Sequence, residues 1–416
     1  MNKTFQKYEY QRIAVNERNS DGFQFNERHY AALCKFNERN EGKFFEIEYR
    51  KIRFTNYVGL LQVGDCTIEV LPKIDRLTQD EEKPKWRSAL IRMLKLCRKL
   101  QLESTTESRA SLQNETLFEI YINEYLNEME RLVREGLTKK YRLIQDNVPF
   151  CKGKLMLDRQ LRENLVHKER FCVEYDTYDF DNPFNQILYA ALQILKTFPV
   201  APKFTDRIGR LEFQLPEITL KKITAEDFQK LPIDRKTEKY KYALTLARLI
   251  IMEYTPDIKA GSENILAILF EMEKLFEEFV YRLLYRYKES DWEVTAQTSR
   301  KFWKTDNCTK HIRPDILLKY SGKNLIIDTK WKVPKQGIAS DDDLKQMYAY
   351  NQFYDAEHSI LLYPKLEKSV KGRFCKENQN HACSMEGVQL YFNGSGTKLD
   401  LLKTGDELKK IVSNYL

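Results

Sequence analysis

Residues 314–332 constrain the fold more than any other part of the chain. Two apolar segments, Pro314 to Tyr320 and Asn324 to Trp331, flank Ser321-Gly322-Lys323. A linker this short, containing Ser and Gly, folds the second segment back along the first, so the two read as adjacent antiparallel strands. Side chains alternate faces along a strand. Leu325, Ile327, Thr329 and Trp331 then share one face, and Ile326, Asp328, Lys330 and Lys332 share the other. A carboxylate and an ammonium are thereby placed on one face at the far end of an apolar strand. Tight antiparallel pairing brings Asp315 beside Asp328.

The flanking segments extend this into an α/β core. Upstream, Ser262 is expected to cap a long helix whose apolar stripe runs Ile265, Ile268, Leu269, Met272, Leu275, Phe276, Phe279, Val280 and Leu283. Downstream, the spacing predicts a helix from about Asp341 to Tyr354 and a strand at Ser359 to Tyr363. The order helix, strand, strand, helix, strand describes a C-terminal domain over residues 256–416. Residues 1–105 read as a β-rich domain, with a hairpin at Gly64-Asp65 between Tyr57–Val63 and Thr67–Pro72. Trp86 to Leu102 has helical spacing, and a boundary is expected between about residues 75 and 115. Residues 106–255 read as mainly helical, with Leu117, Ile120, Tyr121, Tyr125, Leu126 and Met129 recurring at three and four. The fold class expected is α+β and multidomain.

At 416 residues the chain can bury more than one core. It has no apolar run long enough to cross a bilayer and no signal-like apolar stretch at its N-terminus, so a cytoplasmic location is expected. Its eight cysteines are scattered, with no Cys-x-x-Cys pair. Cys375, His381 and Cys383 lie close in sequence but lack the fourth ligand of a structural zinc site. A net charge of +8 permits nucleic-acid contact without requiring it. Between Lys139 and Arg170, nine Lys/Arg face four Asp/Glu, which suits either phosphate contact or a solvated helical face.

Hydrolysing a phosphodiester needs a nucleophilic water, shielding of developing negative charge and help for the leaving oxygen. One or two carboxylates can hold Mg²⁺ for that purpose with several waters still attached, and Asp315 and Asp328 suit the role. Lys330 can orient the water or stabilise the transition state. The alternative is a hairpin with a surface Asp-Lys pair, worth under about 1 kcal/mol. Gln346 and Tyr350, four apart on the next helix, share a face. Glu277 either adds a further acid near the metal or lies on a solvated flank with Glu273 and Glu278.

The Pro314-Asp315 pair, followed by Asp328-Thr329-Lys330 in an apolar strand, resembles the signature of the PD-(D/E)xK nuclease superfamily. Gln346 and Tyr350 resemble the Gln-x-x-x-Tyr element of its RecB-like members. Further segments are similar to the McrC family of McrBC-type restriction systems. They are Gln62 to Ile74, Lys152-Gly153-Lys154 with Tyr175 to Asn185, Met272 to Val280, Arg313 to Ile316, Ile327 to Lys332, and Asp343 to Met347. The resemblance implies a Mg²⁺-dependent endonuclease subunit acting on double-stranded DNA, with Asp315 and Asp328 on the metal and Lys330, Gln346 and Glu277 around them. It also implies a McrB-like AAA+ GTPase ring that binds DNA, docks the N-terminal part and uses the GTP, and a nuclease domain that can pair with a second copy. The chain itself has no Gly-x-x-x-x-Gly-Lys-Ser/Thr loop for a nucleotide. A regulatory adaptor with a degenerate nuclease, and a stand-alone RecB-like nuclease, are the alternatives.

Overall fold

The computed structural model describes residues 3–74, 82–100, 115–256, 263–334, 337–375, 381–393 and 398–416. They form two compact units, the first from residues 1–61, 67–109 and 269–416 and the second from 62–66 and 110–268. The architecture is mixed α+β with several sheets.

The N-terminal part comprises β1 (Thr4–Tyr8), β2 (Arg12–Ala14), α1 (Glu27–Arg39), β3 (Phe45–Glu48), β4 (Lys51–Phe54), β5 (Tyr57–Val63), β6 (Cys66–Leu71) and α2 (Lys83–Leu96). β1 pairs in parallel with β6 from Thr4↔Thr67 to Tyr8↔Leu71, and β5 lies along the other edge of β6. The expected hairpin is present, with Gly64 at φ +54° in its turn. β6 is buried along its whole length, Glu69 included. That carboxylate receives Arg87 of α2 at 2.8 Å and the Gln6 amide at 2.9 Å, which offset the cost of desolvating it. Helix α1 is an addition to the expected β-rich domain, and Asn26 and His29 close a capping box at its start. The helix expected over Trp86 to Leu102 starts earlier and ends at Leu96, with Pro84 in its first turn.

The second unit holds α3 (Leu117–Glu135), β7 (Lys140–Val148), β8 (Lys154–Leu155), α4 (Leu157–Glu163), β9 (Phe171–Asp179), α5 (Pro183–Lys196), α6 (Pro202–Gln214), α7 (Ala225–Gln229), α8 (Lys241–Met252) and β10 (Tyr254–Thr255). The stripe expected at Leu117, Ile120, Tyr121, Tyr125, Leu126 and Met129 is buried along α3. The mainly helical reading is corrected over 140–179, where β7 and β9 pair antiparallel from Lys140↔Asp179 to Val148↔Phe171. No residue of β7 is fully buried, so no core stripe marks it. Cross-strand pairs support it instead, with the Tyr141 and Tyr178 rings 4.8 Å apart and Arg142 3.0 Å from Asp179. The basic tract Lys139 to Arg170 therefore lies on this ribbon and α4, not on one helical face.

The helix expected from Ser262 is also corrected. Ser262 lies outside the described residues; Ile265–Glu271 is a strand, β11, and helix α9 begins only at Met272 and runs to Tyr287. The run Ile-Leu-Ala-Ile-Leu-Phe satisfies helical spacing because it is apolar at nearly every position, and a buried strand has the same pattern.

After α9 come β12 (Glu293–Ala296), β13 (Arg300–Lys304), β14 (Thr309–Ile312), β15 (Ile316–Tyr320), β16 (Lys323–Thr329), α10 (Asp341–Tyr354), β17 (Ala356–Tyr363), β18 (Val370–Arg373), β19 (Ala382–Gly387) and α11 (Leu401–Ser413). Six of the strands form one sheet in the order β12-β15-β16-β17-β19-β18. β15 and β16 pair antiparallel from Ile316↔Ile327 to Tyr320↔Lys323, while β16 and β17 are parallel. α9 packs against β12 and β16, and α10 against β16, β17 and β19. Leu317, Ile326, Met347, Tyr350, Tyr354 and Leu361 form the core under α10. Ser340 caps α10, and Asp341, Asp342 and Asp343 occupy its first turn, where acidic side chains complement the helix dipole.

Candidate active site

The register that pairs Ile316 with Ile327 brings Asp315 opposite Asp328, one step beyond it at the end of the sheet. Asp328 is almost wholly buried and lies at the C-terminal end of a strand with a parallel neighbour, where clefts form in α/β sheets. Ile326 packs under α10, and just beyond β16 the Trp331 ring lies tilted 5.0 Å from Phe276 of α9, so the two faces are those expected from alternation.

Each carboxylate is held differently. Asp315 Oδ2 accepts the Thr329 backbone N–H at 2.7 Å and the Thr329 hydroxyl at 2.9 Å. Asp328 Oδ2 lies 2.7 Å from Lys330 Nζ as an ion pair, but no hydrogen bond of good geometry reaches it. Lys330 Nζ also donates to Gln346 Oε1 at 3.2 Å and lies 3.2 Å from Asp343 Oδ1. Gln346 Nε2 donates to Tyr350 Oη at 2.8 Å, and that hydroxyl donates to the Arg313 carbonyl at 2.9 Å. A chain of polar contacts therefore runs from the carboxylate pair through the lysine to the backbone just before Pro314. Glu277 of α9, half-buried, receives the Gln297 side-chain amide, and the Gln297 N–H donates to the Asp315 carbonyl at 2.9 Å.

Burial pushes the carboxyls of Asp315 and Asp328 above their ordinary range, and at Asp328 the neighbouring Asp315 charge adds to it. Glu277 rises to about 7 through burial and the Asp315 charge, against the Gln297 bond. At Lys330 burial works against the charged form, but Asp328 and Asp343 outweigh it and hold the ammonium above its ordinary value. Burial likewise opposes ionisation of Asp343, yet Lys332, Ser340 and Lys330 hold its carboxyl at about 2. Three desolvated acids that repel one another are relieved by a cation, and a carboxylate oxygen without a hydrogen bond has lone pairs to offer it. Among the described residues no three His, Cys, Asp or Glu side chains are gathered closely enough to hold a metal ion by themselves. Asp315 and Asp328 fit Mg²⁺, which takes one or two carboxylates and keeps several waters.

The structure thus brings together Asp315, Asp328, Lys330 and Gln346, with Glu277 at the edge. Asp343 and Thr329 are additions. Asp343 opens the family-like segment Asp343 to Met347, but its pairing with Lys330 and with Lys332 at 2.7 Å depends on how α10 crosses the sheet. A further addition is Glu9. Its Oε1 accepts Trp331 Nε1–H at 2.8 Å and the Lys73 N–H at 2.7 Å, while Oε2 is buried without a hydrogen-bond partner. Burial raises the Glu9 carboxyl to about 7 despite those two bonds. No local pattern marks a residue 322 positions from its partner.

Two acids and a lysine at the end of a mixed sheet define a site able to gather a divalent cation and an anionic group. The comparisons supply the family. A model described as the McrBC 5-methylcytosine restriction system component matches residues 52–364, and the chain belongs to that family. The type IV methyl-directed restriction enzyme EcoKMcrBC of Escherichia coli K12 is 23% identical over 269 residues, covering 59% of this chain and 76% of that protein. A chain in the refined half-complex from the tetradecameric assembly of Thermococcus gammatolerans McrB AAA+ hexamers with bound McrC shares the fold. Its TM-score is 0.68 at 19% identity, over 99% of this chain and 100% of that one. No helix among the described residues is long and apolar enough to cross a membrane.

Proposed function

We propose that this chain is the McrC-type subunit of its restriction system, a DNA endonuclease whose C-terminal domain is of the PD-(D/E)xK kind. The convergence of Asp315, Asp328 and Lys330 at the end of the six-stranded sheet carries this reading. Asp315 and Asp328 would hold Mg²⁺, which, when bound, supplies Lewis-acid shielding of the phosphate and a more acidic water. Thr329 fixes the Asp315 carboxylate through two hydrogen bonds, so one ligand is pre-aimed. Lys330, anchored by Gln346 and Asp343, presents its ammonium where negative charge develops on a phosphate and where an attacking water is oriented. Tyr350 locks the Gln346 amide so that its oxygen faces the lysine. Glu277, with its carboxyl near 7, can accept a proton from that water at neutral pH.

The substrate proposed is double-stranded DNA, and the partner a McrB-like AAA+ GTPase ring that uses the GTP. Family membership and the fold shared with a chain of the McrB–McrC assembly support both. Pairing of two copies through the nuclease domain would let both strands be cut. The test is the complex with its GTPase partner, GTP, Mg²⁺ and DNA. Asp328→Ala is expected to lower cleavage by at least about a hundredfold, the scale of losing a group that stabilises transition-state charge. GTPase stimulation by that variant should stay intact. Loss of cleavage and stimulation together would sink the assignment of chemistry to this site, and undiminished cleavage would sink the residue roles.

A further inference from the structure

Strands β13 and β14 form a ribbon of their own beside the six-stranded sheet. From Arg300 to Arg313 the sequence holds five Lys/Arg and His311 against the single acid Asp306. All of β13 is exposed, as are Lys310 and His311. Phe302 and Trp303 are 50% and 54% exposed. Arg300 has Asp355 at 3.7 Å, whereas Lys301, Lys304 and Lys310 have no ion-pair partner among the described residues.

The root of the ribbon is fixed. Arg300 lies 4.7 Å over the Tyr354 ring, and the Phe302 and Phe353 rings are 5.2 Å apart. The Tyr354 hydroxyl bonds the carbonyls of Thr298 and Ile312, at 2.5 and 3.0 Å. Both ends of the ribbon adjoin the site. Gln297, just before it, bonds the Asp315 carbonyl and Glu277. Ile312, at its end, is three residues from Asp315, about 10 Å of extended chain.

The register pairs Lys301 with His311, Trp303 with Lys310 and Lys304 with Thr309, with a bulge between Lys301 and Trp303. Lys301, Lys304 and His311 therefore fall on one face and Trp303 with Lys310 on the other. A major groove admits a two-stranded ribbon, whose two faces then meet the phosphates of opposite groove walls.

We propose that the β13–β14 ribbon is a duplex-gripping arm, in which Lys301, Lys304 and Lys310 neutralise phosphates flanking the cut one and Trp303 packs against the groove. This rests on the nuclease reading of the adjacent carboxylates. It makes the arm a sequence-independent contact, because ammonium–phosphate pairs carry no base information.

Fluorescence anisotropy of the full chain on a labelled duplex, with Ca²⁺ in place of Mg²⁺ and NaCl varied, tests the arm. Each phosphate contact contributes about 0.9 to the salt slope of log K, so the triple variant Lys301→Ala, Lys304→Ala, Lys310→Ala should lose about 2.7. Between about 50 and 200 mM NaCl the unaltered chain then loses about 40-fold more affinity than the variant. Trp303→Ala should weaken binding equally on unrelated sequences and leave the slope alone. An unchanged thermal midpoint confirms that the variants are folded. Unaltered affinity and slope in the triple variant, from a chain that still cuts DNA with its partner and Mg²⁺, would overturn the arm and leave the nuclease standing. Failure of the unaltered chain both to bind and to cut would overturn both.

Discussion

Replacing Glu9 by glutamine removes one ionisation and little else. The new amide oxygen can accept the same bonds from Trp331 and Lys73, and the amide nitrogen takes the place of the unpartnered Oε2. The native carboxyl titrates near 7 against an ordinary value of 4.5. Below the lower value both native and unfolded chains are protonated there, and the group leaves stability unchanged. As pH rises from 4.5 towards 7 the unfolded chain releases its proton first, so native stability falls. Above 7 the loss is complete, up to about 3 kcal/mol at about 1.4 kcal/mol per pH unit. Glu9→Gln should therefore match the unaltered protein near pH 4 and exceed it by up to about 3 kcal/mol at pH 8, roughly 6–12 °C in midpoint. All four tryptophans, Trp86, Trp292, Trp303 and Trp331, belong to the first unit, so tryptophan fluorescence, excited beyond the tyrosine band, reports during unfolding on that unit alone. Curves for the two proteins that run parallel across pH 5–8 would refute the argument, since they would mean that Glu9 titrates alike in both states.

Two further outcomes are expected. Arg87→Met should cost about 3–5 kcal/mol in urea unfolding followed by the same fluorescence, because it strips the buried Glu69 of its counter-charge. Gly153→Ala and Gly322→Ala share the left-handed backbone cost of about 1–2 kcal/mol. Gly153 adds a collision, since a Cβ there would lie 2.3 Å from the Glu174 carbonyl, whereas nothing lies within 4 Å at Gly322. Proteolysis within β7–β9 should therefore accelerate far more in the first variant than proteolysis at the β15–β16 turn does in the second.

The carboxylate pair was legible because two strong local rules act together there. Strand alternation put Asp328 and Lys330 on one face, and a tight turn returned Asp315 to them; the observed register agrees, with Lys323 paired to Tyr320 and only Ser321-Gly322 left in the turn. Helical spacing put Gln346 and Tyr350 on one face, and the resemblance to a Gln-x-x-x-Tyr element singled them out; the two side chains are hydrogen-bonded. What escaped depends on neighbours distant in sequence. Ile265–Glu271 is apolar at almost every position, so helix and strand predict the same residues. β7 and β9 are held by cross-strand rings and ion pairs in place of a buried stripe, and spacing does not register those. Asp343 and Glu9 acquire their roles only when α10 and the N-terminal strands close on β16.

The order of the chain has a consequence for biogenesis. The first unit begins with residues 1–61 and is completed by residues 269–416, with nearly all of the second unit encoded between them. Trp331 emerges 322 residues after Glu9, a delay of roughly 15–65 s at ribosomal speeds of about 5–20 residues per second. When Trp331 emerges, the early strands have been waiting for their sheet-end partner while the second unit, complete at residue 268, already has its whole sequence in hand. The paired carboxylates are thus completed late, and a chain cut short before Asp328 lacks the pair altogether.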